Sequence, residues 1–393
     1  MKWVAYLNLI WRFTRRYWLW GLRFAILWAI VSSLAPPSPR ALLGEPRTVI
    51  AEKDHVCVHT RLIDEVEEWV MQRSLELVRE MGADTIVEFF PWAYFENSHG
   101  NYNWSQADRI IRQAENQGLR VIARVGFVPR WARLDFEDDV TTMNYLPNES
   151  FDDFANFVAT FAERYAGTVD HIIIWNEPNL AFEWGYRQVS PEDYVRLLQT
   201  VYEPVKAANP NITILAGALA PTLEPEGSPN GLSDILYLQR MYQAGAANYF
   251  DALAIHTYGF TLPPEDDPAP DVLNFRRAEL LRDIMLQYDD ADTPVFITET
   301  GWNDHPRWTK AVRPSQRVSY TVNGFIWAEE NWDWVDEMCI WAFRYPIPTF
   351  SYPDNFTMVT TDFQLLPLYY AIQAYARGEE RTGNLWLDPP TAP

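Results

Sequence analysis

The feature that most constrains the fold of this chain is an eightfold alternation of short apolar segments with longer amphipathic ones between residues 55 and 377. Short β-rich apolar runs predict strands, and amphipathic stretches of ten or more residues predict helices. The predicted strands are Val56–His59, Thr85–Phe90, Arg120–Val125, His171–Trp175, Thr213–Ala216, Ala252–His256, Val295–Thr298 and Met338–Phe343. The predicted helices are 64–81, 105–117, 150–166, 191–208, 231–245, 273–288, 314–331 and 365–377. Alternating strands and helices predict a parallel sheet of the α/β class, and eight units predict a closed (β/α)8 barrel, a TIM barrel.

The other common parallel-sheet fold, an open doubly wound sheet that binds dinucleotides, lacks its signature in this sequence. No Gly-x-Gly-x-x-Gly motif follows the first predicted strand, and that motif opens the first helix of dinucleotide-binding folds. The helix boundaries agree with the barrel assignment, because Gly82, Gly118 and Gly167 directly follow three predicted helices and glycine tolerates the left-handed cap.

Charge and composition exclude several functional classes. The chain carries 53 acidic and 32 basic side chains, a net charge of −21, with no basic stripe after the N-terminus. A protein that binds nucleic acid needs such a stripe, so nucleic acid is excluded as a partner. There are six His and two Cys but no Cys-x-x-Cys or His-Glu-x-x-His motif. We therefore predict neither a metal nor a cofactor.

The N-terminal 35 residues differ in composition from the rest of the chain. They contain five basic residues and no acidic one, and an apolar run over 24–35 precedes a Pro-rich stretch. A basic flank before an apolar run is typical of a secretory signal or a membrane anchor. The run is shorter than the roughly 20 residues that span a bilayer, and its extension back to Tyr17 includes Arg23. Three interpretations stay open: a cleaved signal peptide, a retained anchor through residues 17–35, and a wrongly extended start.

The sequence divides into four segments on this basis. We expect a signal or anchor over 1–35, a Pro-rich linker over 36–47, one catalytic domain over 48–385 and a disordered tail over 386–393. With a signal or an anchor, the catalytic domain is exported, so we predict an extracellular or cell-surface location. No second long apolar span occurs, which argues against a mainly membrane-embedded protein. We expect a monomer.

Two glutamates directly follow predicted strands. The fourth strand leads into Asn176 and Glu177, and the seventh leads into Glu299. Active sites of barrels lie at the C-terminal ends of the strands. A carboxyl group at the rim of a dry core has the raised pKa that a general acid needs near neutral pH. One such Glu alone favours a helix cap or a salt bridge, but two in one cleft are the minimum equipment for hydrolysing a glycosidic bond.

The residues around both glutamates resemble those of a known group of enzymes. The stretch Trp175-Asn176-Glu177-Pro178 resembles the acid/base motif of clan A glycoside hydrolases, and 298–302 resembles their nucleophile motif. Those enzymes carry their catalytic glutamates on strands four and seven, as here. The resemblance continues through the second and third units, in 91–96, 100–104, Asp108, 118–122 and 129–131, which are similar to β-xylosidase-like, β-galactosidase-like and cellulase-like members. It implies that Glu177 is the general acid/base and Glu299 the nucleophile of a retaining glycosidase.

The resemblance also implies roles for residues at neighbouring strand ends. Asn176 would hydrogen-bond the sugar 2-hydroxyl, and Tyr258, which with His256 ends strand six, would donate to Glu299 and keep it ionised. For His256, a satisfied structural histidine is the alternative. Trp341 on strand eight would form the floor under the sugar at the cleavage point, or else be a core aromatic. The other motif aromatics that we assign to substrate binding are Trp92 and Trp302.

Two points stay open from the sequence. Many clan A members place an Arg near the end of strand two to hold the nucleophile, but strand two reads Ile-Val-Glu-Phe over 86–89, so either Arg124 or Arg61 would have to substitute. Cys57 and Cys339 fall on strands one and eight, which become neighbours when the barrel closes. A disulfide is conceivable there, but parallel strands rarely present the required Cβ geometry, so two buried thiols are the favoured interpretation.

The sequence as a whole predicts a retaining O-glycosyl hydrolase that acts on oligosaccharides or polysaccharides, with β-linked substrates expected. A catalytically silent barrel that binds carbohydrate at a cell surface is the alternative from another class. The intact pair of glutamates and their supporting residues argue against it. The loops that set substrate identity, such as 261–271 and 344–357, contain no motif that identifies a sugar.

Overall fold

A computed structural model describes residues 11, 17, 18, 20–28, 43–133 and 142–379 of the 393. The eight main strands are β1 Val56–His59, β2 Thr85–Pro91, β3 Arg120–Gly126, β4 His171–Ile174, β5 Thr213–Leu219, β6 Ala252–Tyr258, β7 Val295–Gly301 and β8 Val335–Ile340. The eight main helices are α1 Glu68–Met81, α2 Ser105–Asn116, α3 Phe151–Arg164, α4 Pro191–Ala208, α5 Asp234–Gln243, α6 Arg277–Gln287, α7 Pro314–Asn331 and α8 Pro367–Ala376. A short antiparallel pair, Glu96–Ser98 with Asn101–Tyr102, follows β2.

The strands form a closed barrel in which every strand is parallel to both of its neighbours. The order around the barrel follows the chain, and β8 closes it against β1 through the pairs Val56–Met338, Cys57–Cys339 and Val58–Ile340. Because all eight strands point the same way, their C-terminal ends meet on one face, where the loops that follow them are free to build a site. The predicted (β/α)8 barrel is confirmed.

Most elements differ from their predicted bounds by a few residues, and in two of them distant partners account for the difference. Strand β8 begins at Val335, since the carboxyl group of Glu337 accepts hydrogen bonds from Thr85 at 3.1 Å and Arg120 at 2.6 Å and is thereby buried within the strand. Helix α6 begins at Arg277 rather than at 273, because the Asn274 amide group donates to the backbone carbonyl of Asp267 at 2.8 Å and holds its residue in the preceding loop.

The core has two layers, one inside the barrel and one between the barrel and its helices. The inner layer consists of inward side chains from the strands: Cys57, Val87, Ile122, Ile173, Leu215, Ala218, Ala252, Ala254, Phe296 and Cys339. Their strand neighbours, such as Val56 and Val58, pack outward against the helices, as the alternation of side chains along a barrel strand requires.

The two cysteines form a disulfide inside the barrel, contrary to the interpretation favoured from sequence. Cys57 and Cys339 are directly paired across β1 and β8, with Cα atoms 4.1 Å apart. Both side chains point into the inner layer. The prediction of two free thiols assumed that parallel pairing would keep the sulfur atoms apart, and this local register brings them together.

The chain divides into two compact units, Met1–Gly44 and Glu45–Pro393. The predicted tail 386–393 and most of the predicted signal or anchor lie outside the described residues. Of the predicted signal or anchor, residues 20–28 are described and are helical. Among the helices that the structure describes, none has both the length and the apolar character needed to cross a membrane. In the second unit, the Arg47 amide donates to the Asn116 carbonyl at 2.7 Å, immediately before the domain start predicted at 48.

Candidate active site

The end of β4 holds Glu177 in a constrained backbone. Trp175 and Glu177 both have positive φ, 78° and 43°, a conformation that side chains other than glycine rarely adopt and that costs about 1–3 kcal/mol per residue. The Trp175 amide donates to the Val125 carbonyl at 3.1 Å, and the Glu177 amide donates to the Ala218 carbonyl at 3.0 Å. The backbone of Glu177 is therefore tied to the strands on both sides of β4.

The two glutamates and a histidine meet at the C-terminal face of the barrel. His256 at the end of β6 has its Nδ1 atom 2.8 Å from Oε1 of Glu177 and 3.5 Å from Oε2 of Glu299. One carboxylate oxygen of each glutamate and a ring nitrogen of His256 lie within 4.8 Å of one another. The two carboxyl groups thus face each other across a gap that His256 bridges from the side.

Three further side chains surround Glu299. The Tyr258 hydroxyl donates to Oε2 of Glu299 at 2.7 Å. An Arg124 Nη1 atom lies 3.9 Å from Oε1, and Nε2 of His59 lies 3.8 Å from the same oxygen. The carboxylate therefore has a hydrogen-bond donor on one oxygen and a guanidinium charge beside the other, an arrangement that favours the ionised form.

Arg124, rather than Arg61, is the cation beside Glu299. Strand pairing places Arg124 directly beside Phe89 of β2, and its guanidinium group lies over the Phe89 ring at 4.6 Å. An arginine from β3 thus lies next to the position on β2 where the sequence has none. Arg61 instead donates to Asp64 at 2.7 Å.

His59, at the end of β1, was not identified from the sequence. Its Nδ1 atom lies 3.1 Å from the Thr60 carbonyl oxygen and must carry the proton to donate there, so Nε2 is unprotonated in the neutral ring. Burial and the charge of Arg124 lower the pKa of His59 well below 6.5, which keeps the ring neutral. Its position at a strand end is the same signal that pointed to His256, and it was available from the sequence.

The electrostatic environment separates the two glutamates. Burial raises the pKa of Glu177 to about 7, although Arg124 opposes the shift, so near neutral pH this group can both give and take a proton. Burial also raises the pKa of Glu299, opposed by Arg124 and by the hydrogen bond from Tyr258. Burial lowers the pKa of His256 to about 4, and burial beside Glu299 raises the pKa of Tyr258 well above 10. Near neutral pH, His256 is therefore neutral and Tyr258 remains a donor.

A cavity of about 500 Å³ opens over these groups, which is within the range typical of ligand pockets. Its lining includes both glutamates and three of the predicted binding residues, Asn176, Tyr258 and Trp341. The Trp341 ring is only partly buried and lies edge-on to His59, with ring centroids 4.5 Å apart. Strand β2 contributes Phe89 to the lining. The segments that follow the strands contribute further aromatic residues: Tyr94, Phe127, Phe260, Trp308, Tyr345, Tyr352 and Phe356.

Trp92 and Trp302 do not line this cavity, so the interpretation of these two residues as substrate-binding does not fit the structure. Trp92 is fully buried, and its ring packs between Trp131 and Phe157. Trp302 is 2% exposed, and its Nε1 atom donates to the Leu262 carbonyl at 2.7 Å. Its indole packs against Gly259 so closely that a Cβ atom added there would lie 1.9 Å from the ring. Both rings are core aromatics, and Trp302 packs against the loop that follows β6.

The same three residues at the centre of the site are close enough to ligate a cation. In the part of the chain that the structure describes, one ligand atom from each of Glu177, His256 and Glu299 lies near enough to the other two for the three to hold a metal ion. The prediction that the protein needs neither a metal nor a cofactor stays a prediction.

Solved structures of other proteins share the fold of this chain. A structure of a family 39 glycoside hydrolase from Bacteroides cellulosilyticus has 22% sequence identity and a TM-score of 0.66, over 85% of this chain and 65% of that one. A monomeric β-xylosidase from Caulobacter crescentus has 16% identity and a TM-score of 0.61, over 84% of this chain and 69% of that one. These two likenesses show the fold.

A curated relative matches over a shorter region. A β-galactosidase from Lactobacillus acidophilus is 25% identical over 142 residues, which cover 31% of this chain and 21% of the relative. The chain thus matches about a fifth of that protein's length. The model of the Cellulase family, glycosyl hydrolase family 5, matches residues 64–337, and the resemblance to clan A glycoside hydrolases is confirmed. Because this match covers more than half of the chain and includes the Glu177 and Glu299 motifs, the protein belongs to the Cellulase family, glycosyl hydrolase family 5.

Proposed function

We propose that this protein hydrolyses β-linked glycosidic bonds of oligosaccharides or polysaccharides with retention of anomeric configuration. The spacing of the two carboxyl groups carries the proposal, because an oxygen of Glu177 lies within 4.8 Å of an oxygen of Glu299. Retaining glycosidases hold their two carboxyl groups about 5–5.5 Å apart, whereas inverting ones leave about 6.5–9.5 Å for a water molecule. The gap in this site suits direct attack by one of the carboxylates.

The reaction proceeds in two displacements. In the first, an oxygen of Glu299 bonds to the anomeric carbon as the glycosidic carbon–oxygen bond breaks, and the Glu177 carboxyl group gives its proton to the departing oxygen. In the second, Glu177, now ionised, takes a proton from water as the water oxygen attacks the anomeric carbon and releases Glu299. The pKa of Glu177 near 7 suits it to both steps.

The surroundings assign supporting roles to other cavity residues. Tyr258 and Arg124 stabilise the ionised form of Glu299 before attack. Trp341 offers a partly exposed indole at the mouth of β8 on which a sugar ring can pack. The β-xylosidase and β-galactosidase relatives support a β-linked substrate. Which sugar is bound depends on the loops, whose residues carry no motif for one.

A panel of 4-nitrophenyl β-glycosides and soluble polysaccharides tests the proposal. We expect turnover of at least one β-glycoside, and proton NMR at early times should show the β-anomer as the first product. An α-anomer formed first would indicate inversion. Binding of polysaccharide without turnover of any compound in the panel would instead support the silent carbohydrate-binding barrel.

We also propose that the protein acts as a monomer outside the cytoplasm, either released or anchored through residues 17–35. The basic flank and the apolar run over 24–35 support export, and the monomeric β-xylosidase supports the oligomeric state. Cell fractionation with protease protection tests the location, and size-exclusion chromatography with light scattering tests the mass. A cytoplasmic pool inaccessible to protease would contradict the first proposal, and a dimeric mass would contradict the second.

A further inference from the structure

The cavity extends from the two glutamates across one side of the barrel mouth. Among the described residues, its lining draws on the segments that follow β8, β1, β2 and β3 but not on the one that follows β5. Because the strands follow the chain around the barrel, β8 lies opposite β4, which leads into Glu177, and β1 lies next to β8. In the proposed reaction, Glu177 protonates the departing oxygen, so the leaving group lies on the β4 side. The sugar that is transferred to Glu299 therefore extends toward β8 and β1.

An arginine and an aspartate line the β1 side of this cavity as an ion pair. Both Nε and Nη2 of Arg61 donate to Oδ2 of Asp64, at 3.2 and 2.7 Å, and the two side chains are 30% and 32% exposed. Among the described residues, neither Nη1 of Arg61 nor Oδ1 of Asp64 has a hydrogen-bond partner. The pair therefore leaves one charged donor and one charged acceptor available in the cavity wall, and hydrogen bonds to charged groups are stronger than those between neutral groups.

A buried carboxylate that the reaction does not use holds the loop that carries this pair. Glu88 on β2 is fully buried. Its Oε2 atom accepts hydrogen bonds from the Thr60 hydroxyl at 2.6 Å and the Leu62 amide at 2.9 Å, and its Oε1 atom accepts one from the Ile63 amide at 3.1 Å. Desolvation of a carboxylate is unfavourable unless hydrogen bonds offset it. All three of these hydrogen bonds come from the residues that flank Arg61, so the buried charge fixes the backbone of this loop.

The loop is also held from its other side. The Gln106 side-chain amide donates to the Glu65 carbonyl at 3.0 Å, and the Arg61 guanidinium lies 5.7 Å from the centroid of the Tyr345 ring. A group that is fixed before binding loses little conformational entropy when it binds a ligand. An exposed ion pair contributes little to stability, so stability alone does not account for so firmly held a pair in the wall of the cavity.

We propose that Arg61 and Asp64 are specificity-determining residues, which bind the hydroxyl groups at C3 and C4 of the sugar ring that is transferred to Glu299. These hydroxyl groups lie on the edge of the ring remote from the anomeric carbon, and the pair lies across the cavity from Glu177. This inference rests on the proposed glycosidase function, since it assigns the recognition of the substrate of that reaction. The site then selects a pyranose whose hydroxyl groups at C3 and C4 are both unsubstituted.

Deoxy substrates test the proposal on the protein and on two variants, Arg61→Ala and Asp64→Ala. The quantity measured is kcat/KM for the 4-nitrophenyl β-glycoside that the wild type hydrolyses fastest and for its 2-deoxy, 3-deoxy and 4-deoxy counterparts. The wild type should prefer the parent glycoside to the 3-deoxy and 4-deoxy compounds by about tenfold or more, because a site built to bind a hydroxyl group rejects an analogue that lacks it. In each variant, at least one of these two preferences should fall by about tenfold.

The 2-deoxy compound is the matched control substrate, because its missing hydroxyl group lies next to the anomeric carbon and away from the pair. Its discrimination should keep the wild-type value in both variants. A wild type that accepts the 3-deoxy and 4-deoxy compounds as well as the parent would overturn the proposal, and so would variants that keep both wild-type preferences.

The leaving group provides a second readout that a general loss of structure would not move in the same way. In a series of aryl β-glycosides, the dependence of log kcat/KM on the pKa of the departing phenol reports proton donation to that oxygen. Because the pair lies on the side of the transferred sugar, this dependence should be the same in the wild type and in both variants. A changed slope would place the pair on the leaving-group side and refute the assignment.

Glu76→Ala is the matched control variant. Glu76 forms a similar ion pair with Arg73, at 3.3 Å and three residues apart on α1, outside the cavity lining. It should keep every substrate preference of the wild type, and Arg61→Ala and Asp64→Ala should have its melting temperature. Should either melt lower, Arg61→Gln and Asp64→Asn, which remove the charge but keep much of the side-chain volume, take their place and should likewise discriminate less than the wild type.

The outcomes separate the inference from the function on which it rests. If the wild type turns over no glycoside, the proposed function fails and the inference fails with it. If the wild type is active but the folded variants keep its preferences at C3 and C4, only the inference fails.

Discussion

Removal of the Tyr258 hydroxyl group should shift the acid side of the pH profile to higher pH. Tyr258 donates to Oε2 of Glu299 at 2.7 Å, and Glu299 is 6% exposed. A hydrogen bond donated to a carboxylate stabilises its ionised form, so the Tyr258→Phe substitution raises the pKa of Glu299. Since only ionised Glu299 can attack, a higher pH is then needed to produce the active form.

The size of the shift follows from the energy of the lost contact. A hydrogen bond to a charged group contributes about 1.5–3 kcal/mol, and one pKa unit corresponds to about 1.36 kcal/mol. The acid limb of kcat/KM should therefore move up by about one to two units, with the smaller value expected if water enters the vacated space. The alkaline limb reports the loss of the Glu177 proton, near pH 7, and should stay in place. The bell-shaped profile therefore narrows from its acid side.

The measurement is kcat/KM against pH on one chromogenic β-glycoside, for the wild type, Tyr258→Phe and a matched control. Tyr237 on α5 offers the control, because its buried hydroxyl group has no hydrogen-bond partner among the described residues and lies outside the cavity lining. The Tyr237→Phe variant should reproduce the wild-type profile. An acid limb that is unchanged in Tyr258→Phe would refute the argument that Tyr258 keeps Glu299 ionised.

Three other predictions concern the catalytic pair, the domain boundary and the disulfide. Glu299→Ala should abolish turnover, and added azide should restore some activity by forming a glycosyl azide of inverted configuration. Glu177→Ala should keep the first step on substrates with very good leaving groups, because these need no protonation to depart. Identical behaviour of the two variants on all substrates would contradict their assigned roles. A chain of residues 45–393 should keep the wild-type melting temperature, because Arg47 and the residues after it already bond to the barrel; a lower melting temperature would place the boundary earlier. Replacement of both Cys57 and Cys339 by Ala should lower the free energy of unfolding by about 2–5 kcal/mol, because the disulfide joins positions 282 residues apart. A denaturation midpoint equal to that of the wild type would contradict this stabilising role.

The main features of the fold and the position of the catalytic pair followed from local sequence. Each strand is a short run that alternates between the inner and outer layers, as in Val56, Cys57 and Val58, and such a run is recognisable without knowledge of its neighbours. Glu177 and Glu299 follow their runs directly, so the rule that barrel sites lie at C-terminal strand ends was enough to bring them together.

The residues that sequence alone could not assign depend on contacts between distant segments. The choice of Arg124 over Arg61 required the register that places Arg124 beside Phe89. Trp92 belongs to a motif of the family, but whether its ring faces the cavity or the core is decided by α3, which packs Phe157 against it. Glu183 lies in a loop with no strand-end signal, and only the folded chain brings it to the lining of the cavity.

The strained segment after β4 and its anchors explain how Glu177, the proposed acid/base, is kept in place. Positive φ angles at Trp175 and Glu177 are unfavourable, so the surrounding structure must hold them. Asn179, which is fully buried, does this by donating to the Ala220 carbonyl at 2.8 Å and accepting from the Ala220 amide at 2.9 Å. These two hydrogen bonds join the segment after β4 to the segment after β5. The Glu177 amide also donates to the Ala218 carbonyl of β5. A carboxyl group that must meet a departing oxygen within hydrogen-bonding distance gains from such a fixed backbone, because misplacement by about 1 Å can cost about a hundredfold in rate.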